Sequence, residues 1–558
     1  MFVAPVQKIQ LNTTTKQLHS AVTYGRRFFA VKSSIYGFHN YDPTAAKIFK
    51  FPHSGFPEKL NGEMKIIPLN KEWDKPTSLL VESVIPKGDF LESDTHYFCG
   101  GLPALMQAAR KIEEIAQISS GERVIYVNDG KIPKTLQSGH QAHVHPSEWS
   151  SDDCSTINLI KTMLRGMGIL FTQNPTNLSN YSYLHFPFSY SDFAKDPLGN
   201  TRLYLNFFGE RIRQNLKQVN GVSDDDHRLC RLVTESLEYH KELSKKIEKQ
   251  QGNPSFLECG RAYWSPDVKA MKKKQATWKE LGIDCEFMTE SEIMQETLLK
   301  KNSGLHVLRI VKDGKFFPET PQRIVKYLED NYPNFTHYIA STEKLCLNKQ
   351  NGSPVSINER LTDGRTQEIS IKTFFGSLGH NQVFRDHSSD KALKPVWPEV
   401  PVTGNSTVWR CSIDVKEFEQ RFGIIPLTKE DLAKCVNQLL PLANLSNLHV
   451  TLWDGEIIYD KVVFNLRASQ GANFNSLVAD KDDLRNMWEN LDRYFIGDLE
   501  IVSAASCSKK TYISNVPEHV ELSSNPQRPT TFLHGLSGIG YSVSAASLPT
   551  IKERAPKG

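Results

Sequence analysis

The sequence predicts an α/β fold built on a Rossmann-like unit, and three observations support this. An apolar strand pattern, THYFC at 95–99, runs into a glycine-bearing turn, a helix-period stretch over 102–117 and a second β-branched strand, RVIYV at 123–127. Apolar strand patterns return far downstream, at THYIAS (336–341) and EISIKTFFGSLGHN (368–381). The chain then closes on TTFLHGLSGIGYSVSAASLPTI (530–551), read as strand, glycine turn and helix. Strand, tight turn, helix and strand make a βαβ unit.

Each element has a local reason. Residues 1–92 are mixed and broken by Pro and Gly; their aromatics argue against plain disorder, and they receive no function. In LPALMQAARKIEEIAQ the helical period puts Leu102, Leu105, Ala108, Ala109, Ile112 and Ile115 on one face. The stretch SSG at 119–121 stops that helix. A section rich in aromatics and helical pattern covers roughly 155–305 and includes KAMKKKQ at 269–275, read as a solvated helix face. Within it, KELGIDCEFMTESEIMQ reads as the end of a helix, a short strand and a helix with a polar start. A second mixed section spans about 395–500.

Composition narrows the class. The chain has 558 residues, 39% hydrophobic and 23% charged, enough for a large core or several domains. A net charge of +4 demands neither nucleic acid nor an acidic membrane. Nine cysteines lie without CxxC pairs or ligand spacing, which fits a reducing compartment better than disulfides or zinc. No stretch has the length of a transmembrane segment, and the polar N-terminus gives export no support. The expected location is cytoplasmic, with peripheral contact at a membrane also open.

The glycine turn carries the first candidate chemistry. A dinucleotide site needs backbone N–H groups close to a pyrophosphate, the positive end of a helix dipole, and an acidic group for the ribose. In CGGLPA the three motif positions are Cys99, Gly101 and Ala104, with Gly100 and Leu102 between them. Gly101 keeps the position of closest approach, and alanine suits the third, where helix meets strand. Cysteine at the first is a departure, since a Cβ at a tight turn is costly. Asp129 is the acidic candidate, with Asn128 its competitor, thirty residues from Cys99 instead of about twenty. By itself this pattern suits ordinary α/β packing as well as nucleotide binding.

A family resemblance comes from stretches further on. QSGHQAHVHPSEW (137–149) carries Gly139, Gln141 and Trp149 at places matching a flavin-side loop. CGRAYWSPDVKAMKKKQATWKELGIDCEFMTESEI (259–293), GKFFPETPQRIVKYLEDNYPNFTHYIASTEKL (314–345), IKTFFGSLGHN (371–381), which contains Gly376, and LSGIGYSVSAAS (536–547) follow in the expected order. In this order the chain resembles the FAD-dependent D-amino acid dehydrogenases of the D-amino-acid-oxidase-like flavoprotein family. The resemblance implies a Rossmann-like FAD-binding domain from 93–180, 310–395 and 500–558. It is interleaved with an α+β substrate domain from 181–309 and 396–499 that carries an antiparallel sheet. It places Gly101 and Ala104 at the pyrophosphate and Asp129 at the ribose. Gln141 and the turn of Ser537, Gly538, Ile539 and Gly540 fall at the flavin ring. No catalytic residue is assigned.

The implied activity is oxidation of a small-molecule amine or D-amino acid by hydride transfer to FAD, with electrons passed to a quinone, another electron-transfer acceptor or oxygen. Two departures favour an alternative, a degenerate flavoprotein-fold binding or regulatory protein. The arginine that usually grips a substrate carboxylate falls at Ser506, with Lys509 and Lys510 as the nearby cations. The family's closing histidine is lost at Leu536 or displaced to His534. Arg467 could substitute, though it reads more simply as a strand-edge surface residue. His140, His143 and His145 suggest a metal only weakly, and none is expected. SDDCS (151–155) and SDDDH (223–227) read as caps and solvated turns.

Overall fold

A computed structural model describes residues 48–50, 63–65, 94–128, 222, 224–317, 319–350, 353–361, 365–377, 384–386, 391–393, 400–425, 428–444, 448–471, 481–511, 518–521, 530–534, 540–546 and 550–552. Two short strands, β1 (Ile48–Lys50) and β2 (Glu63–Lys65), pair with each other. The expected βαβ unit is formed by β3 (Thr95–Gly100), α1 (Leu102–Gln117) and β4 (Arg123–Asn128). β3 is buried at all six positions, as a parallel strand covered on both faces must be. Strand alternation sorts its side chains. Phe98, Val124, Tyr126 and Phe375 join the cluster beneath α1, and Tyr97, Cys99, Ile125, Val127 and Phe374 join a second cluster. α1 buries Leu105, Ala108, Ala109, Ile112 and Ile115 as its period predicts, and Leu102 is half-buried. Each fully buried Leu or Ile there contributes about 1.5–3 kcal/mol.

The chain continues through α2 (Asp224–Gln251), β5 (Phe256–Ser265), α3 (Val268–Glu280), β6 (Cys285–Phe287), α4 (Glu290–Glu296), β7 (His306–Phe316) and α5 (Thr320–Asn331). β8 (Phe335–Gln350), β9 (Ser353–Leu361), β10 (Thr366–Ser370), β11 (Thr373–Ser377), β12 (Phe384–Asp386) and β13 (Lys391–Leu393) follow. Then come β14 (Val400–Asp414), α6 (Val415–Phe422), α7 (Lys429–Gln438), β15 (Leu442–Asn444), β16 (Leu448–Ile458), β17 (Lys461–Gly471) and α8 (Lys481–Tyr494). The last elements are β18 (Asp498–Thr511), β19 (Glu518–Glu521), β20 (Thr530–His534), α9 (Gly540–Val543) and β21 (Thr550–Lys552).

The first sheet has a parallel core in the order β8-β4-β3-β11-β20. Counted along the chain this is 3-2-1-4-5, the order of dinucleotide-binding folds, with its switch point between β3 and β11. β9 and β10 extend one side antiparallel from β8; β19 and β21 complete the other. The second sheet runs β18-β14-β17-β16-β15-β5-β7-β6 and is antiparallel except where β15 meets β5. On one face Trp409, Cys411, Phe464 and Leu466 pack with Phe418, Leu432, Val436 and Met487 from α6, α7 and α8. On the other, Tyr263, Leu308 and Ile310 share a core with residues of α1, α2 and α5. The long helix α2 packs between β5 of the second sheet and α5, which in turn packs on β8 of the first.

The sheets draw on the chain alternately, and three sequence expectations change. The single strand expected over 368–381 is two, β10 and β11, broken at Ile371 and Lys372. β18 is the edge strand of the second sheet, paired with β14, whereas the family resemblance groups 500–511 with the cofactor domain. In α3 one lysine of the expected solvated face is buried: Lys274 sets its ammonium 5.8 Å above the Trp278 ring, which offers a cation a favourable surface.

Candidate cofactor site

The carboxyl ends of β3 and β11 meet at a glycine corner. Gly100 has φ of 131°, a conformation closed to most L residues, and a Cβ there would stand 2.1 Å from the Ser377 carbonyl oxygen. The Gly101 N–H donates to that same oxygen at 3.3 Å. The turn therefore falls on Gly100 and not on the first motif position. Cys99 is still in the strand, in register with Gly376 and Val127, and fully buried in the second cluster. A Cβ at Cys99 carries no turn penalty, so its departure from glycine is accommodated.

Gly101 caps α1 without a side chain. Its carbonyl accepts from the N–H groups of Ala104 and Leu105 at 3.0 and 3.2 Å, Pro103 lies in the first turn, and no acidic residue follows there. A helix start of this kind presents a positive dipole end; with Pro103 lacking an N–H and those of Ala104 and Leu105 returned to Gly101, the Leu102 N–H is the donor left in its first turn. Ala104, fully buried, gives the close helix-to-strand contact. Ser377 ends β11 beside this corner; it is 4% exposed, and its hydroxyl finds no hydrogen-bond partner among the described residues. A buried, unsatisfied hydroxyl has a cost that a ligand oxygen would remove.

A polar chain supports the corner from β4 and β8. The Tyr126 hydroxyl donates to the Gly100 carbonyl at 3.1 Å, and its ring stacks on His337 with centroids 5.2 Å apart. The Asn128 amide donates to Nε2 of His337 at 3.1 Å. Burial depresses the His337 imidazole to about 4, so it is neutral near pH 7. With Nε2 accepting, Nδ1 carries the proton and has no partner among the described residues. Asn128 thus occupies the end of the second strand of the unit, within this network.

The closing segment approaches the same helix. α9 starts at Gly540, and Ser542, Val543, Ser544, Ala545 and Ala546 are buried. The Gln107 amide of α1 donates to the carbonyls of Ser544 and, at 3.3 Å, Ala546. The Ala545 N–H donates to the Ser236 hydroxyl of α2 at 3.1 Å. The helix that begins at Gly101 therefore carries the segment that begins at Gly540. Asp129, Gln141, Ser537, Gly538 and Ile539 lie outside the described residues, as do His140, His143 and His145.

Two other expectations can be placed. Arg467 is not a strand-edge surface residue: it sits on β17 between β14 and β16, paired with Val408 and Thr451, and is 8% exposed. Strand alternation opposite Leu466 and Ala468 turns it away from the core under α6–α8. Ser506, Lys509 and Lys510 pair along β14 at Asn405, Val402 and Pro401. Sequence reasoning passed over Tyr126, His337, Ser377, Gln107 and Ser236. Tyr126 could have been found, since it lies two residues before Asn128 and so on its face of the strand. The partners contributed by β8 and α2 had no sequence signal.

At the opposite, amino ends of the strands, Glu122 is held by His96 at 3.1 Å and by Lys372, and His96 also meets the Thr373 hydroxyl at 2.8 Å. Burial alone would raise the Glu122 carboxyl, but its hydrogen bonds from Lys372 and His96 prevail and hold it at about 2. This cluster ties three strands together, away from the corner. Among the described residues there is no grouping of three or more His, Cys, Asp or Glu able to hold a metal, and no helix long and apolar enough to cross a membrane.

The sequence matches no family model and no curated protein. Among solved structures the chain is similar to glycine oxidase from Bacillus cereus ATCC 14579, at 11% identity over 81% of this chain and 92% of that one, with a TM-score of 0.45. It is similar to L-proline dehydrogenase from P. horikoshii at 12% identity, over 81% and 90% of the two chains, with a TM-score of 0.44. L-amino acid deaminase from Proteus vulgaris gives 10% identity over 82% and 93%, with a TM-score of 0.44. Likenesses of this order assign no activity to the chain.

Proposed function

We propose that the chain binds FAD across the β3–β11 crevice and oxidises a small amine or amino acid, in the manner of D-amino acid dehydrogenases. One observation carries this reading above the others. A parallel sheet of order 3-2-1-4-5 ends in a Gly100–Gly101 corner. There a helix start with no side-chain cap and no acidic residue in its first turn stands beside the buried Ser377 hydroxyl, which has no hydrogen-bond partner among the described residues. These residues fit the pyrophosphate of a dinucleotide, because they offer N–H and O–H donors to an anion and no competing negative charge.

In this reading the Leu102 N–H and the Ser377 hydroxyl hold the pyrophosphate, and Gly101, without a side chain, lets the backbone approach it. Asn128, Asp129 and the Nδ1–H of His337 serve the ribose. Gly376, Gln141 and the stretch from Ser537 to Gly540 line the flavin. Bound FAD would supply a hydride acceptor for the carbon bearing the amine. The chain's own part is to position that carbon, exclude water and accept the amine as its neutral form. Arg467, on the second sheet, is the guanidinium offered for a substrate carboxylate, in place of the arginine absent at Ser506. Electrons then leave to a quinone or to oxygen. The interleaved division into a cofactor domain and a substrate domain, and cytoplasmic residence with contact at a membrane surface, belong to this reading too.

The position of Ser506 favours a second reading, in which the fold binds FAD without turnover. Anaerobic addition of D-amino acids and simple amines to the purified, flavin-loaded protein separates the two. Bleaching of the visible flavin bands supports the enzyme; FAD bound with no bleaching by any amine supports the binding protein.

A further inference from the structure

The closing segment is held by two side chains that belong to neither glycine motif. Gln107 lies on α1, beyond the helix start at Gly101, and its amide donates to the carbonyls of both Ser544 and Ala546. Ser236, fully buried on α2, accepts from the Ala545 N–H. Residues 542–546 are buried between these helices, and α9 touches both. The segment has little regular structure of its own: α9 spans four residues. Between β20 and β21, which belong to the first sheet, it is held by burial of Val543, Ala545 and Ala546 and by these side chains on helices.

We infer that Gln107 and Ser236 are positioning residues that lock the Gly540 segment onto α1 and thereby join the two halves of the cofactor site. The inference rests on the FAD reading and deepens it. The helix whose start faces the pyrophosphate would hold the backbone facing the flavin ring at a fixed distance, through a two-point amide clamp. A side-chain amide that donates to two carbonyls two residues apart restrains both the position and the orientation of the segment, which one hydrogen bond does less well. Ser236 adds a third point from a different helix, so the segment cannot pivot about Gln107.

The test uses the full-length protein and FAD. Wild type, Gln107→Leu and Ser236→Ala are compared for FAD affinity and for amide hydrogen exchange at residues 541–546 and at β3 and β4. Loss of the clamp is expected to weaken FAD binding about tenfold or more, as removal of two buried hydrogen bonds would. Exchange at 541–546 should become fast in Gln107→Leu while β3 and β4 keep their protection, and added FAD should slow it again. Ser236→Ala should move both readouts in the same direction and by less. Unchanged FAD affinity in Gln107→Leu overturns the inference and leaves the FAD reading standing. Should Gln107→Leu lose protection throughout, Ser236→Ala decides, and wild-type affinity in that variant overturns the clamp. If wild type itself binds no FAD, the functional reading falls, and the clamp falls with it.

Discussion

At the residue scale Gly100 is the most constrained position in the site. Its φ of 131°, and a Ser377 carbonyl oxygen only 2.1 Å from where a Cβ would stand, leave no room for a side chain. Gly100→Ala should destabilise the fold by about 3 kcal/mol or more, from backbone strain together with overpacking, as read from urea denaturation. His337 makes a second prediction at this scale. Its folded value of about 4 lies below its ordinary 6.5, so between those values the unfolded chain binds more protons than the folded one. The His337 contribution should be full above pH 6.5 and be lost as the pH drops toward 4, by on the order of 3 kcal/mol. Glu122 acts in a lower window: with its carboxyl at about 2 against an ordinary 4.5, its contribution is present above 4.5 and lost as pH falls toward 2. His96, also depressed by burial, and Asp313, raised by burial to about 7 and so acting with the opposite sign, titrate in the same window as His337. The His337 contribution is therefore read from denaturation curves across pH as the stability difference between wild type and His337→Phe, which should shrink as pH falls from 6.5 toward 4. A wild-type minus His337→Phe difference that stays constant between pH 6.5 and 4 would contradict it.

At the element scale the first βαβ unit was legible because its signals are local. Helix period, β-branched strands and a glycine pair within about thirty residues gave β3, α1 and β4 nearly to the residue. The break between β10 and β11 was not legible, since SIK reads as continuous strand and only the pairing of each half with different partners divides it. Membership of β18 in the second sheet depends likewise on its long antiparallel register with β14. A buried ion pair within that sheet carries a prediction of the same kind. Arg261 on β5 and Asp313 on β7 are both fully buried, 2.9 Å apart, where the β5–β7 register shifts. Asp313→Ala leaves a buried, permanently charged guanidinium without its carboxylate and should cost about 3–5 kcal/mol. Replacing both by apolar residues of similar volume should recover much of that loss. Chemical denaturation of the single and double variants checks both statements; equal losses in the two would show that the pair's charge is not the cause.

At the scale of the whole molecule the crevice depends on strands far apart in sequence. β3, β11 and the corner come from residues near 100 and near 377, and the segment at 540–546 reaches α1 from the other end of the chain. Three readings of the sequence pointed toward this arrangement without specifying the contacts that make it: Gly101, Gly376 and Gly540 stand in motifs, but Tyr126, Ser377 and Gln107 become visible only when distant elements meet. Folding and cofactor binding should accordingly be linked. A ligand that spans the corner binds the folded chain alone, and at a hundredfold excess over its Kd it should add about 2.7 kcal/mol to stability. The most direct measurement is titration of the purified protein with FAD, followed by visible absorbance and thermal unfolding, beside Gly100→Ala. The expected result is one equivalent of bound flavin and a raised Tm in wild type, with both lost in the folded fraction of the variant. A wild-type protein that stays colourless, and whose Tm FAD does not move, would contradict the assignment of the glycine corner as a flavin site.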